Sequence, residues 1–236
     1  IGDKEFQNII FNYWKTTTFP TKLYHHVIMG NTTKEIKQQS LANYIVNLVS
    51  IWETYLRDLF TVALRLDRDF FEFAKSKFLE ADLSEHSLED QVNLLSVAPN
   101  FQNITEINQI FSKLFESKDF FELVSNFNFK AFRGRIVFEK FSIYLFVKNS
   151  KKLIDLVFNE RHKIIHDANY SIKTYPSKVI KELEFLFITF PQVLCVIFSE
   201  KFDLKKIIFD EKEKVIYLGD GDISYISDIE ETISDD

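Results

Sequence analysis

Apolar residues recur at three-and-four spacing along most of the chain, the period of a helix with one buried face. The strongest run is Leu41, Tyr44, Ile45, Leu48, Val49, Trp52, Tyr55, Leu56, Leu59, Phe60 and Ala63. It predicts a long helix from a cap at Thr32 or Thr33 to about Leu66. Ahead of it, Phe6, Ile9, Ile10, Tyr13 and Trp14 predict a short helix over 3–15, and 16–31, with Pro20 and Gly30, reads as a connection. Amphipathic pieces follow over 68–79, from Ser87-Leu88-Glu89-Asp90 to Pro99, from a cap at Thr105 through Phe115, and briefly over 119–125. Residues 127–134 read as loop and 136–147 as helix. Ser150 is expected to cap a helix ending near 167–170, and Pro176-Ser177 to open a last one to about Lys201, kinked at Pro191. The pattern then changes. Lys206-Ile207-Ile208-Phe209 and Lys214-Val215-Ile216-Tyr217-Leu218 flank a charged turn, the signature of a β-hairpin. The expected fold is all-α: a helical bundle over 1–204, with a small C-terminal β-hairpin and an acidic tail over 205–236.

Composition reinforces this picture. Only five glycines and four prolines interrupt 236 residues, so helix breakers are scarce. The 26 phenylalanines supply ample core, an excess that AT-rich coding explains as readily as function. Cys195 is the single cysteine, lies in an apolar run and has no internal disulfide partner, which fits a reducing cytoplasm. The first residues, Ile1-Gly2-Asp3-Lys4-Glu5, are polar, so no secretory signal is expected. Ile1 in place of methionine fits trimming or a position within a longer protein. The apolar run Phe185 to Phe198 is broken by Pro191 and Gln192. It falls short of the roughly 18–20 residues of a membrane span, so a buried helix and no membrane are expected. A net charge of −6 argues against a generic nucleic-acid coat. Charge is uneven, however. Between Lys148 and Lys181 eight Lys/Arg face three acids, whereas from Asp210 to Asp236 ten acids face two lysines.

Candidate chemistry concentrates in that basic window, at Asn159-Glu160-Arg161-His162-Lys163-Ile164-Ile165-His166-Asp167. Leu153, Ile154, Leu156, Val157 and Phe158 read as the buried side of a helix, and spacing puts Arg161 on the stripe of Ile154, Val157, Phe158, Ile164 and Ile165. A guanidinium is not neutralised by deprotonation, so there it must meet a carboxylate, a ligand or a second subunit. His162 and His166, four apart, share a face. On the long helix, Glu53 and Arg57 are spaced for an ion pair; alternatively Glu53 reaches Arg161 and orients it. His25 and His26 read as surface histidines.

Arg161 and His166 form an Arg-x4-His motif near the end of a helix, with polar His162 directly after the arginine. In this the chain resembles the HEPN superfamily, helical-bundle domains found in ribonucleases of toxin–antitoxin, CRISPR and phage-defence systems. Trp52-Glu53-Thr54-Tyr55-Leu56-Arg57-Asp58 is similar to an earlier bundle helix of several HEPN groups. The resemblance covers about 33–200, with 68–147 as family-variable insertion. It implies a metal-independent endoribonuclease that needs no cofactor and cleaves RNA by attack of the ribose 2′-hydroxyl on the adjacent phosphate. His166 would exchange the proton, Arg161 would clamp the phosphate, and His162 would be a second proton carrier or a phosphate donor. Glu53, Glu160 and Asp167 are the supporting carboxylates, and Lys151, Lys152 and Lys163 the cations for RNA phosphate. The implied partners are RNA (tRNA or mRNA), a second copy whose motif completes a composite site, and an antitoxin or sensor. HEPN toxins paired with a minimal nucleotidyltransferase often carry tyrosine two residues after the histidine. Ala168 stands there, with Tyr170 the nearest tyrosine, which argues against that pairing.

Three other readings stay open. Arg161 pairs with Glu53 or another carboxylate in a purely structural role. His162 and His166 bind zinc, with Asp167 the only further ligand nearby. Or the chain is a non-catalytic HEPN module that dimerises or binds RNA without cutting it.

Overall fold

The computed structural model describes residues 2–78, 86–133, 136–167, 169–173, 175–204, 218–219 and 222–224. Among these the fold is a helical bundle with one small sheet. In chain order it comprises α1 (Gly2–Met29), α2 (Lys34–Leu66), α3 (Arg68–Phe78), α4 (Leu88–Val97), α5 (Ile104–Leu114) and α6 (Phe120–Asn126). Strands β1 (Phe129–Arg133) and β2 (Ile136–Phe141), then α7 (Ile143–Phe146), α8 (Ser150–His166) and α9 (Ser177–Phe202), follow. Two short strands, β3 (Leu218–Gly219) and β4 (Asp222–Ser224), come last.

Helix α2 is the central element. Thr33 caps it, accepting from the Ile36 N–H, and all eleven of its periodic apolar residues are buried. Helices α1, α3, α4, α8 and α9 pack against it. At the centre Trp52 is fully buried against Phe187 and Phe190 of α9 and Phe158 of α8, with ring centroids 4.6, 5.0 and 6.5 Å away. Aromatic packing continues outward through Phe60, Phe101, Phe111 and Phe120. Among the described residues, twelve of the phenylalanines are buried in this core, whereas Phe19 and Phe146 are exposed.

Helix α9 continues through Pro191, which has no N–H to offer the carbonyl four residues earlier. That carbonyl, of Phe187, instead accepts from the Tyr13 hydroxyl at 2.5 Å. The Tyr55 hydroxyl donates to the Pro191 carbonyl at 2.7 Å. Two buried tyrosines, one from α1 and one from α2, thus satisfy the proline-bearing turn. Cys195 is buried beside Tyr55, and burial pushes its thiol well up. By length and composition α9 is apolar enough to cross a membrane, and 72% of its most apolar window is buried inside the bundle.

Several expectations need correction. Helix α1 does not end near Lys15 but runs to Met29 through Pro20. Thr16, Thr17, Thr18 and Thr21 each bond a carbonyl one turn back, so the threonine-rich stretch is satisfied as helix. Packing on α2, including the stacked Tyr24–Tyr44 pair, holds its second half. Residues 136–147 are not one helix. Ile136–Phe141 pairs antiparallel with Phe129–Arg133, the stretch read as loop, and only the short α7 follows. Ile, Val and Phe in so short a run favour a strand once a partner lies alongside. The cap of α5 is Asn103, which accepts from the N–H groups of Thr105 and Glu106. The cap position of α8 is Asn149, while Ser150 lies inside the helix with its hydroxyl 2.6 Å from that of Ser125. The expected hairpin strands at 206–209 and 214–218 lie outside the described residues except for Leu218. Leu218–Gly219 pairs with Asp222–Ser224, which also pairs parallel with β1.

Candidate functional site

Ile154, Val157 and Phe158 seat α8 on α2, and Phe158 meets Trp52 edge-on. This brings the last turns of α8 beside the middle of α2 and the α4–α5 connection. Two residues assigned to the buried side of α8 lie elsewhere: Leu156 is 37% and Ile165 45% exposed.

Arg161 is half-buried, as a charged residue on the edge of that stripe should be. Its Nη1 donates to Gln102 Oε1. Gln102 Nε2 donates to Glu53 Oε2 at 2.6 Å, and Glu53 Oε1 accepts from Arg57 Nη2 at 2.9 Å. The expected Glu53–Arg57 ion pair is present, whereas Glu53 does not reach Arg161 directly. It is linked to Arg161 through one intervening amide. No direct Arg161–carboxylate pair occurs among the described residues. Arg161 Nε is buried without a hydrogen-bond partner there.

Periodicity did not reveal Gln102. It sits in the turn after α4, between Phe101, which is fully buried, and the cap Asn103. The cap itself was expected two residues later, at Thr105. Nothing local marks the glutamine before Asn103 as a partner of a residue 59 positions away.

His162 and His166 are exposed on the last two turns of α8, their ring centroids 4.4 Å apart. Asp167 closes the helix: its N–H donates to the Lys163 carbonyl, and its side chain accepts from the Asn169 N–H, each at 2.9 Å. Among the described residues, no group of three or more His, Cys, Asp or Glu is gathered as metal ligands. The zinc reading thus gains no third ligand there.

Glu160 is buried on the flank of α8, 7% exposed, where it accepts from Lys163 Nζ at 2.9 Å and from the Tyr170 hydroxyl. Burial alone pushes its carboxyl up. Hydrogen bonds from Tyr170 and Lys163, the Lys163 charge and a hydrogen bond from Tyr175 outweigh burial and hold it below the usual range. Glu160 therefore pins the α8–α9 connection directly behind the motif. Burial, and then the bond to Glu160, pushes the Tyr170 hydroxyl up to about 12.

The three lysines do not form one group. Lys163 lies within the motif. Lys151 is in the first turn of α8, bonded to Asp119 at 2.5 Å, with Lys152 exposed next to it. Ten residues of helix put Lys151 roughly 15 Å from Arg161 along the axis.

The end of α8 thus combines a guanidinium held by an amide with two exposed imidazoles, residue types suited to binding a phosphate diester and moving protons on it. A family model described as RiboL-PSP-HEPN matches residues 21–204, which takes in the motif, Glu53 and Gln102. No curated protein and no solved structure matches the chain. By the extent of that match, the chain belongs to the RiboL-PSP-HEPN family of the HEPN superfamily.

Proposed function

We propose that the chain is a metal-independent endoribonuclease of a bacterial toxin–antitoxin or anti-phage defence system, active as a homodimer. The HEPN family supports an RNase or RNA-binding role. What favours cleavage is the pairing of a fixed, half-buried Arg161 with exposed His162 and His166 on one helix end. In this reading Arg161 binds a non-bridging phosphate oxygen and stabilises the charge that gathers there. One imidazole takes the 2′-hydroxyl proton as O2′ bonds to phosphorus, and another returns a proton to the departing 5′-oxygen. An imidazole can accept a proton at one ring nitrogen and donate one from the other, so the residue type suits both roles. The products are a 2′,3′-cyclic phosphate and a 5′-hydroxyl.

A composite site is favoured because Arg161 and His166, five residues apart, differ by roughly 140° around α8. A second copy across a two-fold axis supplies the group that a single helix end turns away. Ile165, an exposed apolar residue three and four positions from His162 and Arg161, borders that surface. The Ile165→Cys variant tests this, because the natural Cys195 is buried. A short bis-maleimide is expected to link two I165C chains, whereas the same reagent leaves L94C, on the exposed face of α4, as single chains. I165C that cuts RNA yet never cross-links contradicts the facing arrangement.

One observation also suits an RNA-binding module that does not cut: Arg161 already has Gln102 as partner. RNA retention with intact RNA recovered identifies that case.

A further inference from the structure

Gln102 occupies an unusual place for a neutral side chain. Its Oε1 accepts from Arg161 and its Nε2 donates to Glu53, whose other oxygen is taken by Arg57. The reversed amide would set its NH2 against the guanidinium and its oxygen against the carboxylate, so the network fixes its orientation. The backbone is fixed as well. Gln102 N donates to Asn100 Oδ1 at 3.0 Å, Phe101 is buried against Phe60, and Asn103 caps α5. The Arg57 guanidinium lies 6.0 Å over the Phe101 ring, tying α2 to the same turn.

The relay holds two guanidiniums and one carboxylate. A direct carboxylate pair would neutralise Arg161. Here Glu53 contacts Arg57, and Arg161 receives an amide oxygen, which orients the guanidinium and leaves its charge uncompensated. We infer that Gln102, presented by the α4–α5 turn, is a positioning residue that aims Arg161 at phosphate without pairing its charge with a carboxylate. This rests on the proposed phosphate-binding role of Arg161.

Three variants separate the two ideas: R161A, Q102E and Q102A. Binding is read with a 2′-O-methyl RNA of mixed sequence, which lacks the attacking hydroxyl, and cleavage with the unmodified RNA. Q102E, which puts a carboxylate on Arg161, is expected to bind about tenfold more weakly at about pH 7.5. Its deficit relative to wild type should narrow towards about pH 5, because two adjacent carboxyls, the new one and that of Glu53, share a proton more readily than either alone. Q102A keeps the charge but loses the aim: binding stays within about twofold while the cleavage rate falls about tenfold or more. If R161A loses binding but Q102E binds like wild type, or Q102A cleaves at the wild-type rate, the role of Gln102 is overturned. Equal, pH-independent losses in Q102E and Q102A, with matching falls in melting temperature, make Gln102 merely structural and overturn it too. If R161A itself binds and cleaves normally, the phosphate role beneath the inference falls instead.

Discussion

Arg161→Ala and His166→Ala are each expected to lower RNA cleavage by about 10²–10³-fold or more while the chain stays folded. On the proposed mechanism, removing the guanidinium takes away a preorganised cation aimed at the reacting phosphate. On the same proposal, removing the imidazole takes away a proton carrier. Neither side chain anchors the core, since Arg161 is half-buried and His166 exposed. Arg161→Ala does leave Gln102 Oε1 without its donor, so a stability loss of about 1–2 kcal/mol accompanies it. His166→Ala carries no such loss. Single-turnover cleavage with EDTA present, alongside thermal melts of both variants, checks this. Two variants that cut as fast as wild type refute the assignment. Unfolding of Arg161→Ala points to the purely structural reading, in which the arginine exists for its buried neighbours.

Trp52→Ala is expected to have the largest effect on stability, about 3–5 kcal/mol. The ring is fully buried where α2, α8 and α9 meet. Its removal leaves a cavity that Phe158, Phe187 and Phe190, on three separate packing directions, cannot all close. Trp52 Nε1 has no hydrogen-bond partner among the described residues, so the loss is one of packing, not of a polar contact. Trp52→Phe therefore costs only about 1–2 kcal/mol. Urea denaturation of the two variants gives the comparison. Because Phe158 carries α8, Trp52→Ala should also lose activity, but in step with the unfolded fraction and not in the folded state. A Trp52→Ala chain as stable as Trp52→Phe contradicts this view of the core.

What was legible in the sequence follows from how local each determinant is. Helix α2 was read to within a residue or two because its capping residue and all of its buried face lie within one continuous periodic stretch. The motif on α8 was legible for the same reason, although Arg161 was placed on the buried stripe and lies half-buried at its edge. Helix α1 was cut short at its threonines and Pro20, because local breakers were weighed without the α2 surface that holds the helix together. The β1–β2 pair was missed because strand formation depends on a partner more than on either segment. Gln102 and the tyrosines covering Glu160 were invisible for a deeper reason. Each makes a side-chain contact across a turn or between distant elements, and a neutral amide in a connection has no periodicity to betray it.

The most direct test of the ribonuclease reading is the chemistry of the cut ends. Wild-type chain incubated with RNA in EDTA should leave 2′,3′-cyclic phosphate and 5′-hydroxyl termini, and a single 2′-deoxy substitution at a cleaved position should abolish cutting there. Intact RNA, or cutting that continues at the 2′-deoxy position to leave 3′-hydroxyl ends, would contradict it.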